Sequence, residues 1–105
     1  MDERVFHELR KLAKDRGWEQ FHTPENLAQS IAIEAGELLE LFQWGKTPDA
    51  ERLREEVADV LTYCYFLAMR IDEDPSELIL TKLEETVEKY PRDKFYGRHE
   101  KYNEL

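Results

Sequence analysis

A single cysteine, Cys64, has no partner for an internal disulfide, which leaves packing to hold the fold and points to a reducing compartment. Glycine and proline are scarce, with four residues of each. No glycine cluster forms a phosphate-cradling loop, which excludes P-loop and dinucleotide-binding motifs. No apolar run approaches membrane-spanning length and no secretory hydrophobic stretch stands out, so a cytoplasmic protein with no membrane partner is expected. Positive charge is also short: 15 Lys and Arg against 24 Asp and Glu give a formal net charge of −9. That balance argues against binding to nucleic acid polymers or anionic lipid through bulk charge. It leaves room for a small phosphorylated ligand, provided that cations neutralise the encounter. The three histidines, His7, His22 and His99, are too dispersed to make a zinc motif.

What the chain does have is helical periodicity. Residues 2 to about 16 carry Val5, Leu9 and Leu12 at helical spacing and stop near Gly17. Thr23-Pro24 is an N-cap followed by proline at the first helical position, and it opens a helix expected to reach about Trp44, with Gly45 as the stop. Thr47-Pro48 repeats the start signal, Asp49 and Glu51 favour the helix dipole, and this third helix should extend to about Ile71. Asp74-Pro75 begins a fourth that ends near Tyr90-Pro91, and the polar tail from about residue 92 is expected to be irregular. No hairpin dipeptide or period-two run competes with helix. One domain over residues 1–105 follows, an all-α fold built as a compact four-helix bundle with the second and third helices antiparallel. Cys64 lies on an apolar side and is expected in the core. A domain this small hides limited apolar surface, so self-association is expected.

Within the helical stripes stand two matched acidic pairs, Glu34 with Glu37 and Glu56 with Asp59, each spaced i, i+3 and so on one side of its helix. At about 100° per residue, Leu27, Ser30, Leu38 and Leu41 share the sector of Glu34, while Leu53, Val60, Tyr63 and Leu67 share that of Glu56. Carboxylates on apolar stripes cost several kcal/mol or become neutral unless something compensates. Ion pairing to Arg52 or Arg70 is one compensation, and a divalent cation is the other. Paired acids on two neighbouring helices favour the cation. An all-oxygen donor set with no Glu-x-x-His motif selects a hard ion, Mg²⁺ or Mn²⁺, over zinc or a di-iron centre.

Trp18, Phe21, His22, Trp44 and Tyr63 admit two readings. Periodicity alone assigns them to core packing. Their placement beside the acids suits flat rings that sandwich a nucleobase while cations hold its phosphates. Trp44 follows the first acid pair, and Tyr63 lies one turn beyond Asp59.

The segments FHTPENLAQSIAIEAGELLELFQW, LREEVADVLTYCYFLA and KLEETVEKYP together resemble the MazG-like nucleotide pyrophosphohydrolases, on the dCTP pyrophosphatase side of the all-α NTP pyrophosphatase superfamily. The resemblance runs from about Trp18 to Tyr90 and rests on Glu-x-x-Glu, FQW and Glu-x-x-Asp in that order. It implies Mg²⁺-dependent hydrolysis of a nucleoside triphosphate, dCTP or a modified dNTP, to monophosphate and pyrophosphate by a homodimer or homotetramer. It also implies that Glu34, Glu37, Glu56 and Asp59 are the metal ligands and catalytic acids, that Trp18, His22, Trp44 and Tyr63 line the base pocket, and that Lys82 helps bind substrate. The same chemistry on dUTP or phosphoribosyl-ATP is the alternative within the class. A non-catalytic helical interaction module, with the acids as structural ion pairs, is the alternative outside it.

Overall fold

The computed structural model describes residues 2–101 and 103. Among them lie five α-helices, four of them long, and no β-strand. The fold is all-α, as the periodicity requires. None of these helices is long and apolar enough to cross a membrane. Contacts gather the chain into two compact units, one up to Asp74 and one from Pro75 onward.

The first unit holds α1 (Glu3–Asp15), α2 (Pro24–Glu40) and α3 (Ala50–Arg70). Asp2 caps α1 by accepting a hydrogen bond from the Arg4 amide at 2.8 Å. Gly17 ends it with φ 66, a left-handed conformation that favours glycine. The connector Trp18–Phe21 then forms a 3₁₀ turn, pinned by Gln20 Nε2 donating to the Gly17 carbonyl at 2.8 Å. Thr23 caps α2 as its sequence signals, accepting from the Asn26 amide at 3.1 Å with Pro24 in the first turn.

Two boundaries differ from expectation. α2 stops at Glu40, short of Trp44, because the amides of Leu41 and Phe42 turn to carbonyls three residues back, at 3.3 and 3.0 Å. Trp44 and Gly45 follow with φ of 64 and 71, so the chain has left the α-helical path before its glycine. The N-cap of α3 is Asp49, not Thr47. The Asp49 carbonyl accepts from the Leu53 amide at 3.0 Å, while its side chain makes no capping hydrogen bond. α3 closes in a Schellman motif: the Glu73 amide donates to Ala68 at 2.9 Å, the Asp72 amide to Met69 at 3.1 Å, and Asp72 takes φ 58.

α2 and α3 form the most extensive helix pair, and they are antiparallel. Leu27, early in α2, packs with Phe66, late in α3, while Leu41 and Arg52 share a cleft at the opposite ends. The core joins Ala13 of α1 to Leu27 and Phe66, with Tyr63 and Leu67 leaning on it. Cys64 is exposed rather than in this core.

The second unit contains α4 (Pro75–Lys89) and α5 (Arg92–Phe95). The tail is thus not wholly irregular. Pro91 starts a short helical turn, and the Tyr90 and Phe95 rings meet edge to face at 4.6 Å.

Candidate active site

The centre of the α2/α3 pair is acidic. Glu34 of α2 and Glu56 and Asp59 of α3 each bring a carboxylate oxygen within 4.8 Å of the others. Glu56 is 9% exposed, Glu34 is half-buried and Asp59 is open to solvent. The flanking stripe residues Leu38, Leu53 and Val60 are half-buried, so Glu34 and Glu56 lie on the packed faces of their helices, with Glu37 and Asp59 at the exposed margin.

Partner accounting separates the two explanations for these acids. Arg52 approaches Glu56 Oε1 at 3.7 Å and Glu55 at 4.0 Å, so ion pairing is present but reaches one oxygen of the cluster from an exposed side chain. Glu34 Oε2 and Glu56 Oε2 are buried with no hydrogen-bond partner among the described residues. Arg70 lines a different cavity. Burial pushes the Glu34 carboxyl above the usual carboxylate range, and a hydrogen bond that its protonated form donates to Glu37, with the charges of Glu37, Asp59 and Glu56, pushes it further. Two orphaned oxygens in an all-carboxylate set fit a hard divalent cation, which would bind both and relieve the repulsion. Glu37 lies outside the three-residue set but is hydrogen-bonded to Glu34, and it lines a cleft of about 300 Å³ with Glu40, Arg52 and Glu56.

The aromatic candidates divide between two places. Phe66 stacks obliquely on His22 at 4.5 Å and lies 6.3 Å from Tyr63. Burial lowers the pKa of His22, and the nearby Glu19 charge opposes the shift only in part. Trp18 sits on the 3₁₀ turn, 42% exposed, with the Arg16 guanidinium 5.8 Å from its ring. Trp44 is 85% exposed and follows α2, whereas His22 precedes it. A helix of 17 residues is about 25 Å long, so one chain does not bring Trp44 to His22. Lys82 lies on α4 in the second unit, where its ammonium meets Glu85 at 2.9 Å. Hydrogen bonds from Lys89 and Lys82 hold Glu85 down to about 2.

A cavity of about 310 Å³ adjoins His22 and Phe66, rimmed by Arg10, Glu19 and Arg70. Phe66 has a sequence signal, since it stands seven residues beyond Asp59 on the same stripe. Arg10 and Glu19 have none, because α1 and the 3₁₀ turn bring them in from another part of the chain.

Comparison with known proteins identifies the family. Residues 29–105 match the MazG-like family. The chain is 37% identical to dCTP pyrophosphatase 1 of Mus musculus, and again 37% identical to that of Homo sapiens, across 98% of its own length and 69% of theirs. The crystal structure of a pyrophosphatase from Archaeoglobus fulgidus superposes with a TM-score of 0.77 at 42% identity, covering 85% of this chain and 91% of that one. With most of its residues inside the family match, and both acid pairs among them, the chain belongs to the MazG-like family.

Proposed function

We propose that this protein hydrolyses a deoxynucleoside triphosphate, dCTP first among them, to the monophosphate and pyrophosphate, using a divalent cation, Mg²⁺ or Mn²⁺, held by Glu34, Glu56 and Asp59 with Glu37 beside them. The chain is a nucleoside triphosphate pyrophosphatase by family, and dCTP is the substrate in the names of the mouse and human relatives. The observation that carries the site assignment is the pair of buried, partnerless oxygens, Glu34 Oε2 and Glu56 Oε2. A structural ion-pair cluster would leave neither.

When bound, the cation supplies Lewis-acid charge that polarises the phosphate oxygens and eases departure of pyrophosphate. The chain supplies the rest. Water attacks the α-phosphorus, and the P–O bond to the β-phosphate breaks. Glu37, exposed beside the cation-holding acids in the cleft that it shares with Arg52 and Glu56, can accept the proton of that water. Tyr63, His22 and Trp18 hold the base. Stacking of this kind contributes about 1–3 kcal/mol per base and acts almost equally in ground and transition states. Lys82, exposed on α4 and paired there with Glu85, is assigned to a phosphate by the family resemblance alone.

Residues 1–105 act as one MazG-like domain, supported by a family match that runs across both compact units. A homodimer or homotetramer is the working form. Large apolar side chains stay exposed in one chain, among them Leu39 at 71%, Ile79 at 66% and Trp44 at 85%. Trp44 can share a base pocket with His22 only across two copies, given their places at opposite ends of α2.

A pyrophosphate-release screen over the dNTPs, NTPs and phosphoribosyl-ATP tests the assignment. Release of pyrophosphate and dCMP from dCTP, abolished by EDTA, is expected. Orthophosphate as the product, or fastest turnover of dUTP or phosphoribosyl-ATP, would overturn the reaction or the substrate respectively.

A further inference from the structure

The cavity at His22 and Phe66 has a chemistry that the acidic centre does not use. Its volume of about 310 Å³ lies within the range of small-molecule sites, and its inner wall is apolar, from Ala13, Phe66 and Met69. Its rim carries opposite charges, Glu19 against Arg10 and Arg70. Arg10 is already occupied over the Phe6 ring at 4.1 Å. Glu19 and Arg70 form no ion pair among the described residues, although both line the one cavity. Phe66 lies seven residues beyond Asp59, about 10 Å along α3, so the cavity is within a nucleotide's reach of the acidic centre. Burial lowers the His22 pKa, and its ring offers a base a stacking surface.

We infer that this cavity selects the base through its Watson–Crick edge: the Glu19 carboxylate accepts a hydrogen bond from the N4 amino group of cytosine, and the Arg70 guanidinium donates to N3 and O2. The assignment rests on the proposed hydrolysis of dCTP, which places the phosphates at the acids. Cytosine presents one donor and two acceptors in a row, and a carboxylate and a guanidinium lining one cavity supply the complementary groups. Uracil and thymine reverse two of the three positions. Their O4 would face the Glu19 carboxylate, and their N3–H would face the guanidinium, so both pairings become repulsive. Glu19 is thereby a specificity-determining residue. Glutamine in its place can turn its amide to donate to O4 and so admits uracil.

Two measurements on the full-length protein test this. Deoxycytidine and deoxyuridine, which carry no phosphate, are titrated in EDTA and followed by NMR. The ratio of kcat/KM for dCTP over dUTP is measured separately with Mg²⁺. Wild type should favour the cytosine ligand by roughly tenfold or more in both. Glu19→Gln should shrink both ratios several-fold, with the Arg70 mismatch to N3–H keeping a residual preference for cytosine, and Arg70→Gln should weaken both nucleosides. Glu19 is exposed on the 3₁₀ turn, so these variants test recognition rather than folding. An unchanged ratio in Glu19→Gln, or no wild-type binding of deoxycytidine at millimolar concentration, overturns the inference. Turnover of dCTP with no effect of Glu19→Gln sinks the inference alone. Selective nucleoside binding without any pyrophosphate release sinks the hydrolase reading and leaves the base site standing.

Discussion

Glu34 and Glu56 each carry a buried oxygen with no hydrogen-bond partner among the described residues, and a group of that kind costs on the order of 1–3 kcal/mol. A cation reverses the sign of this cost, so function and stability should separate at Glu34. Glu34→Gln should raise the Tm of metal-free protein by about 4–8 °C for each kcal/mol relieved. It should also lower kcat for pyrophosphate release by at least roughly a hundredfold, as removal of one transition-state contact does elsewhere. Calorimetric melting in EDTA beside a turnover assay checks both. His22 gives a second readout. Its folded pKa lies below the ordinary 6.5 because burial disfavours the charged ring. The unfolded chain then binds the proton first, so this contribution to stability is complete above pH 6.5 and is lost as pH falls through the folded value. The drop in Tm between pH 7 and pH 5.5 should therefore be smaller in His22→Gln than in wild type. At this scale the acids were legible in the sequence, since sector geometry put them on stripes that prove to be packed. Arg10 and Glu19 were not, because only tertiary folding brings α1 and the 3₁₀ turn to Phe66.

Helix ends show the same contrast between local and non-local causes. Thr23 was legible because its cap needs only the Asn26 amide three residues on, and Thr23→Ala should cost about 1 kcal/mol in chemical denaturation. Thr47 misleads because Asp49, two residues later, competes for the same role and takes it. The end of α2 was less legible still, since a tightened last turn and a left-handed Trp44 leave no composition signal apart from Gly45. Asp72 holds the left-handed position of the Schellman motif after α3, where glycine carries no Cβ penalty. Asp72→Gly should accordingly stabilise the protein by about 0.5–1 kcal/mol without altering turnover. Urea melts of that variant beside wild type would show it, and a destabilised variant would mean that the aspartate side chain contributes more than its backbone costs.

For the whole molecule, a small core and many exposed apolar side chains go together. Buried hydrophobics in the described chain come down to Ala13, Leu27, Phe66 and Ala68, while Leu61 and Leu83 stay half open at 53% and 50%. A chain with so little enclosed apolar surface gains from burying these side chains against copies of itself. Light scattering at micromolar concentration should give a dimer or tetramer mass, and a monomer mass would leave those faces without a purpose. The all-α class and the pairing of α2 with α3 followed from periodicity. The division into two compact units did not, because it depends on which faces meet rather than on which residues are helical. The proposed chemistry depends on Glu34, Glu56 and Asp59 forming a cation site. Calorimetric titration of Mg²⁺ into nucleotide-free protein, with Asp59→Asn alongside, tests it most directly. Saturable binding by wild type that is lost in a folded Asp59→Asn is the expected result. Equal binding by the two proteins, or no binding by either with the fold intact, would contradict it.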